Sequence, residues 1–179
     1  MQYYYAVMKQ AANTLAESAA TIKCDLAREV LRSFGTLRFP ASGRSMLPAL
    51  WPEDTLVVES VVANQVHIGD VVVVGRRGSL CAHRVIRVEG DVENPRWITQ
   101  GDALPAPDLP VFENELLGRV AYVIRAGKLI PVLEDSSVVK RVTARILRRS
   151  VPAARALIFM HRLIHAREKL GSREVQCQS

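Results

Sequence analysis

The run Ala82-His83-Arg84-Val85-Ile86-Arg87-Val88-Glu89-Gly90-Asp91 decides how the chain folds. It alternates as a strand does and closes on Gly90-Asp91, a turn signal. Alternation sets His83 on one face with Cys81 and Val85. Outward from this run the pattern repeats. Short β-rich runs are predicted at 36–41, 55–62, 70–75, 80–89, 96–100, 118–125 and 128–132, with Gly69-Asp70, Gly101-Asp102 and Ala126-Gly127 marking further turns. Regular short strands predict a mainly β, antiparallel, partly closed domain over residues 36–132. No βαβ alternation is present, which weighs against a nucleotide-binding sheet.

Helices flank that domain. In the N-terminal segment 1–35, a helix is predicted over 3–34. Leu15, Ala19, Ile22, Leu26 and Val30 recur at steps of three and four, Glu17, Asp25, Arg28 and Arg32 lie off that stripe, and Gly35 stops it. The stripe is narrow and Ala-rich and implies packing on a neighbour. In the C-terminal segment 133–179, helices are predicted over 136–150 and 153–170, parted at Pro152 because proline breaks a helix interior.

The chain has 179 residues, 49% of them apolar and 23% charged, enough for one compact domain with a real core. Its net charge of +6 is unevenly placed. Residues 1–139 hold 14 Lys and Arg against 16 Asp and Glu, whereas residues 140–179 hold 10 against 2. Basicity is therefore a property of the tail. Residues 136–170 are expected either to touch an anionic membrane surface peripherally or to form a packed appendage with a solvated charged face. Nucleic acid is not the expected partner.

Cys24, Cys81 and Cys177 are far apart and odd in number, with neither zinc-like spacing nor a disulfide framework. A reducing compartment follows, and no metal or other cofactor is expected. No run reaches the ~18–20 apolar residues that span a bilayer. Met1 to Gln10 lacks the basic and apolar regions of a signal peptide. The expected location is cytoplasmic, with peripheral membrane contact allowed by the tail.

Three segments carry candidate chemistry. Ser42-Gly43-Arg44-Ser45-Met46-Leu47-Pro48-Ala49-Leu50 puts small residues around a hydroxyl between a predicted strand and a turn. Gly43 leaves room for a substrate strand, and free N–H groups nearby can receive an oxyanion. A serine hydroxyl needs a base to become a useful nucleophile, and His83 is the candidate. Thr99-Gln100-Gly101-Asp102, with Asp108 six residues on in a loop stiffened by Pro105, Pro107 and Pro110, offers two carboxylates that could orient an imidazole. Asp102 could equally fix its own turn.

In order and spacing these segments resemble the signal peptidase I family and its LexA-like relatives. Ser42-Gly43-Arg44-Ser45-Met46-Leu47-Pro48 is similar to the nucleophile box, with the spacing of the LexA type. Gly69-Asp70-Val71-Val72-Val73 resembles the strand that follows. The run from His83 to Asp91 resembles the box carrying the base. Histidine at 83, where bacterial signal peptidases carry lysine, resembles the archaeal and endoplasmic-reticulum branch, as does Pro48-Ala49. Gly101-Asp102 followed by Asp108 resembles that branch too, although Ala103 stands where asparagine is usual. Leu117-Gly118-Arg119-Val120 resembles the closing strand.

The resemblance implies a serine endopeptidase acting on an extended peptide or protein substrate after small residues. Ser45 would be the nucleophile and His83 its base. Asp108 is the first choice to orient His83, with Asp102 supporting the loop or sharing that role. The Ser45 N–H and the Ser42 hydroxyl would hold the oxyanion, while Gly43, Arg44 and Met46 would border the substrate. Arg44, a long cation beside the nucleophile, is expected to shape substrate choice. Signal-processing relatives carry a membrane anchor, and none is expected here.

Two other readings compete. LexA-like self-cleaving proteins cut themselves upstream of the nucleophile and carry a DNA-binding domain there, an arrangement not expected with 44 residues before Ser45. An inactive peptidase-like module would dock on anionic membrane or nucleic acid through its tail. His161 and His165 lack the glutamate of a zinc-protease motif, position 162 being Arg. Cys81 is expected to be a small buried residue, His67 exposed, and Trp51 and Trp97 core or rim aromatics.

Overall fold

The computed structural model describes residues 2–76, 78–91 and 93–132, without the side chains of residues 2, 3, 6–9 and 11–20. The two helices expected within 136–170, with His161 and His165, lie outside the described residues. One helix, α1 (Gln2–Phe34), precedes seven strands: β1 (Thr36–Pro40), β2 (Thr55–Glu59), β3 (Val71–Arg76), β4 (Ser79–Glu89), β5 (Arg96–Gln100), β6 (Leu116–Arg125) and β7 (Lys128–Pro131).

Four consecutive valines, Val71 to Val74, are all buried, and they explain the architecture. Successive side chains of a strand point to opposite faces, so a strand apolar at every position needs a core on both sides. Val71 and Val73 enter one core with Leu31, Met46, Leu56 and Val120. Val72 and Val74 enter a second with Val66, Val85, Trp97 and Val111. β3 accordingly lies inside the sheet, between β4 and β6, in an antiparallel order β1-β2-β6-β3-β4-β5, and β7 pairs with β6. Each valine so placed contributes about 1.5–3 kcal/mol relative to an exposed one.

The sheet is open, not partly closed as the sequence predicts. Among the described residues no ladder joins the end strands β1 and β5. Other parts of the chain cover them: α1 lies against β1, and Val111 forms a bridge with Trp97 at the outer edge of β5. Strand boundaries follow the sequence reading closely, with two shifts. β2 stops at Glu59 because the Ser60 N–H turns away to the Gly35 carbonyl (2.9 Å). β6 begins at Leu116 because a one-turn helix, Glu113–Glu115, leads straight into it. The Ala126-Gly127 turn joins β6 to β7 with positive φ at both residues, 49° and 76°. That is the twist a two-residue hairpin requires.

α1 buries a different stripe from the one its periodicity suggests. Ile22 and Leu26 are exposed, and Cys24, Ala27 and Leu31 face the sheet. Small residues at 24 and 27 bring the helix close to β3, where the Cys24 side chain packs against Gly75. Among the described residues no helix is long and apolar enough to cross a membrane.

The loop between β1 and β2 is tied down by a buried ion pair. Asp54, 2% exposed, accepts from the Trp51 N–H (2.7 Å) and from Arg125 Nε and Nη2 (2.8 and 2.7 Å). Arg125 also reaches the Ala49 carbonyl (3.2 Å) and stacks 5.9 Å from the Trp51 ring. Removing one partner of such a pair strands a buried charge, at a cost of about 3–5 kcal/mol. Arg125→Met should lower unfolding free energy by about 3 kcal/mol in urea. A loss below about 0.5 kcal/mol would show that the clamp carries no weight.

Candidate active site

Ser45 sits in the turn that follows β1, its backbone held by the two residues next to it in the fold. The Ala103 N–H donates to the Ser45 carbonyl (2.7 Å). Gly101 lies so close that an added Cβ would stand 2.7 Å from that carbonyl oxygen and 2.9 Å from Ser45 Cβ. Glycine is thus required at 101 for steric reasons. The contact at 103 is made by backbone and does not depend on the side chain there.

His83 stands on β4 opposite Val72 of β3 and is 6% exposed. Its neighbourhood is fixed on both sides. The Gly69 N–H donates to the Val85 carbonyl and the Val85 N–H donates to the Asp70 carbonyl, each at 2.8 Å. Arg84 bridges two loops, donating from Nη1 to the Gly69 carbonyl (2.7 Å) and from Nε and Nη2 to the Asp102 carboxylate (2.9 Å each). Asp102 is therefore a partner of Arg84 and supports the loop, while the hydrogen bond to His83 Nδ1 falls to another carboxylate.

Asp108 makes that contact instead. The Asp108 N–H donates to the Thr99 carbonyl (2.8 Å), and the Thr99 hydroxyl donates to Asp108 Oδ2 (2.7 Å). Two hydrogen bonds between Trp97 and Val111, at 3.0 and 2.8 Å, secure the far side of the loop. So held, Asp108 Oδ2 lies 2.6 Å from His83 Nδ1, and His83 Nε2 lies 2.9 Å from Ser45 Oγ. With Nδ1–H donating to the carboxylate, the Nε2 lone pair faces the serine hydroxyl, which can donate to it. The three side chains form one line, carboxylate to imidazole to hydroxyl.

The remaining predicted residues surround that line. Ser42 and Gly43 border a cleft of about 430 Å³ that also exposes Ser45, and Met46, 4% exposed, forms part of its floor. Arg44 is exposed and has no ion-pair partner among the described residues. The cleft runs between residues 39–43 and Leu80-Cys81-Ala82 of β4. There β4 has β3 on one edge only, because its pairing with β5 begins at Arg84. The Ser45 N–H and the Ser42 hydroxyl donate to no acceptor among the described residues. No cluster of three His, Cys, Asp or Glu among the described residues is placed to hold a metal ion.

Sequence reasoning assigned no role to three residues that the site uses. Thr99 anchors Asp108. Arg76 secures the same loop from outside, donating to the Pro110 carbonyl (2.6 Å) and the Leu109 carbonyl (3.3 Å) while pairing with Glu115 (2.6 Å). The Arg76 guanidinium holds the Glu115 carboxyl below its ordinary range. Cys81, expected to be buried, is exposed, and its Sγ lies 3.4 Å from His83 Nε2. Its place beside His83 followed from strand alternation, but its reach to the imidazole did not. His67 is exposed as expected; Trp51 and Trp97 are buried.

No protein-family model matches the chain, and no match was found among the curated proteins.

Cys81 keeps some surface open to solvent, yet its sulfur is hemmed in by protein atoms. Desolvation first, then the Asp108 charge, push the thiol from 9.0 to about 11. A thiolate is the reactive form, so Cys81 is a poor nucleophile at neutral pH. Because the folded state keeps this proton longer than the unfolded one, stability from this group is lost as pH rises from about 9 toward 11. Iodoacetamide alkylation of Cys81, followed by peptide mapping, should rise with a midpoint near pH 11 in folded protein and near pH 9 in denaturant. Equal midpoints would refute this environment.

Proposed function

We propose that the chain is a serine endopeptidase that cleaves an extended peptide through an acyl-enzyme. The reading rests on one observation: Ser45 Oγ, His83 and Asp108 stand in line at 2.9 and 2.6 Å beside an open strand edge. The resemblance of the same segments to signal peptidases and LexA-like proteins supports it, and that family's fold is the one we propose for residues 36–132. The proposal also includes peripheral contact with an anionic membrane through residues 136–170, on their charge alone.

His83 Nε2 takes the hydroxyl proton as Ser45 Oγ bonds to the peptide carbonyl carbon. The carbonyl oxygen becomes an oxyanion, received by the Ser45 N–H and the Ser42 hydroxyl; one such donor is worth about 3 kcal/mol of barrier. Asp108 stabilises the imidazolium and keeps Nδ1 protonated, so Nε2 can return its proton to the leaving amine. The C–N bond then breaks and leaves an ester on Ser45. Water, activated by His83 in the same way, attacks the ester and releases the acid. Asp102 acts at a distance through Arg84, holding the Gly69 and Gly101 loops about the imidazole. The substrate enters extended along the free edge of β4.

Ser45→Ala and His83→Ala should each abolish peptide cleavage, and Ser45→Ala should also abolish labelling by a fluorophosphonate probe. Both variants cleaving at the wild-type rate would end the proposal. Asp108→Asn should lower kcat by about 10³–10⁴ by favouring the wrong imidazole tautomer. Gly101→Ala should displace Ser45 and reduce probe labelling sharply while thermal unfolding remains cooperative. Full labelling of that variant would show that the close contact does not position the hydroxyl.

A further inference from the structure

Lys23 of α1 borders the cleft beside Ser45. Its position is set by the helix: Cys24, Ala27 and Leu31 pack onto the sheet, and Arg28 Nη2 donates to the Asn114 carbonyl (2.6 Å). Of the helix acids whose side chains are described, Asp25 pairs with Arg28 and Glu29 with Arg32. Lys23 itself has no ion-pair partner among the described residues. Around it the cleft is walled by apolar groups, among them Phe39, Met46, Leu50, Leu56 and Leu80. Among the described residues no carboxylate borders the cleft, and the other titratable group there, Cys81, is a neutral thiol near pH 7. Arg44, immediately before Ser45, adds charge of the same sign.

We propose that Lys23 makes this cleft a carboxylate-selecting subsite, so that the preferred substrate places a glutamate or aspartate side chain in it near the scissile bond. This rests on the peptidase reading above and narrows its substrate class. An apolar wall with one cation at its rim suits a side chain with an apolar stem and a negative end. The stem covers the aliphatic surface, and the carboxylate meets the exposed ammonium at the rim of the cleft. A small residue, which the family resemblance would favour, leaves the cation unpaired and most of the cleft unfilled.

The test uses the full-length protein and a mixed peptide library, with cut sites read by mass spectrometry, followed by matched peptides differing only as Glu or Gln at the selected position. Wild type should cleave the Glu peptide with kcat/KM about two- to fivefold above the Gln peptide, the scale of one exposed ion pair. That ratio should shrink as salt is raised. Lys23→Met should bring the ratio to one, and Lys23→Glu should invert it toward a Lys-bearing peptide. Fluorophosphonate labelling of Ser45 verifies that each variant keeps a folded site. Equal cleavage of the Glu and Gln peptides by wild type overturns the subsite while leaving the peptidase intact. A preference that disappears when the peptide C-terminus is amidated, and not on Glu→Gln, assigns the carboxylate to a chain end and overturns the side-chain proposal. Absence of both cleavage and Ser45 labelling in wild type defeats the underlying peptidase reading.

Discussion

Ser45 occupies the space where a side chain at position 101 would stand. The rest of the site depends on that contact. The same short loop that leaves room for Ser45 also binds its carbonyl through the Ala103 N–H, then returns to Thr99 with Asp108. One segment thus sets the backbone of the hydroxyl residue and the position of the carboxylate. His83 has only to stand between them, and Arg84 keeps it there by tying the Gly69 and Asp102 loops together. A displacement of about 1 Å anywhere in this arrangement would break a line built from bonds of 2.6 and 2.9 Å.

The two cores give that line its stiffness. The turn bearing Ser45 is anchored in the first core by Met46 and Leu50, whereas His83 shares the face of Val72 and Val85 in the second. The two groups meet at the part of β4 that β5 leaves unpaired, where the faces of the sheet come within reach of each other. A substrate strand added at that edge would find the hydroxyl at its side. An uncovered edge of this kind leaves backbone N–H and C=O groups free to pair with another strand.

Charge is distributed to match. Asp54, Asp102 and Glu115 are each paired with an arginine, and Asp70 lies 3.6 Å from Arg119. Asp108 pairs instead with His83, and its second short contact is a neutral hydroxyl, Thr99. The acids paired with arginine hold loops in place, and Asp108 faces an imidazole.

Strands, turns and the candidate serine and histidine were legible because their signals are local. Alternation and glycine-marked turns depend on residues a few positions apart, so the seven strands fall nearly where they were expected. The buried face of α1 was not legible, since Ile22 and Leu26 make as good a stripe as Cys24, Ala27 and Leu31 until a close partner selects the small residues. The sequence reading preferred Asp108 to Asp102 as the partner of His83 but left a shared role open, because both are carboxylates on one loop. The choice was made by Arg84, a cation next to the histidine that engages the first and leaves the second to the imidazole. By itself the sequence determined the strands and the residue types able to do chemistry. Only the tertiary structure decided which of them meet, because a hydrogen bond depends on distances between atoms that lie far apart along the chain.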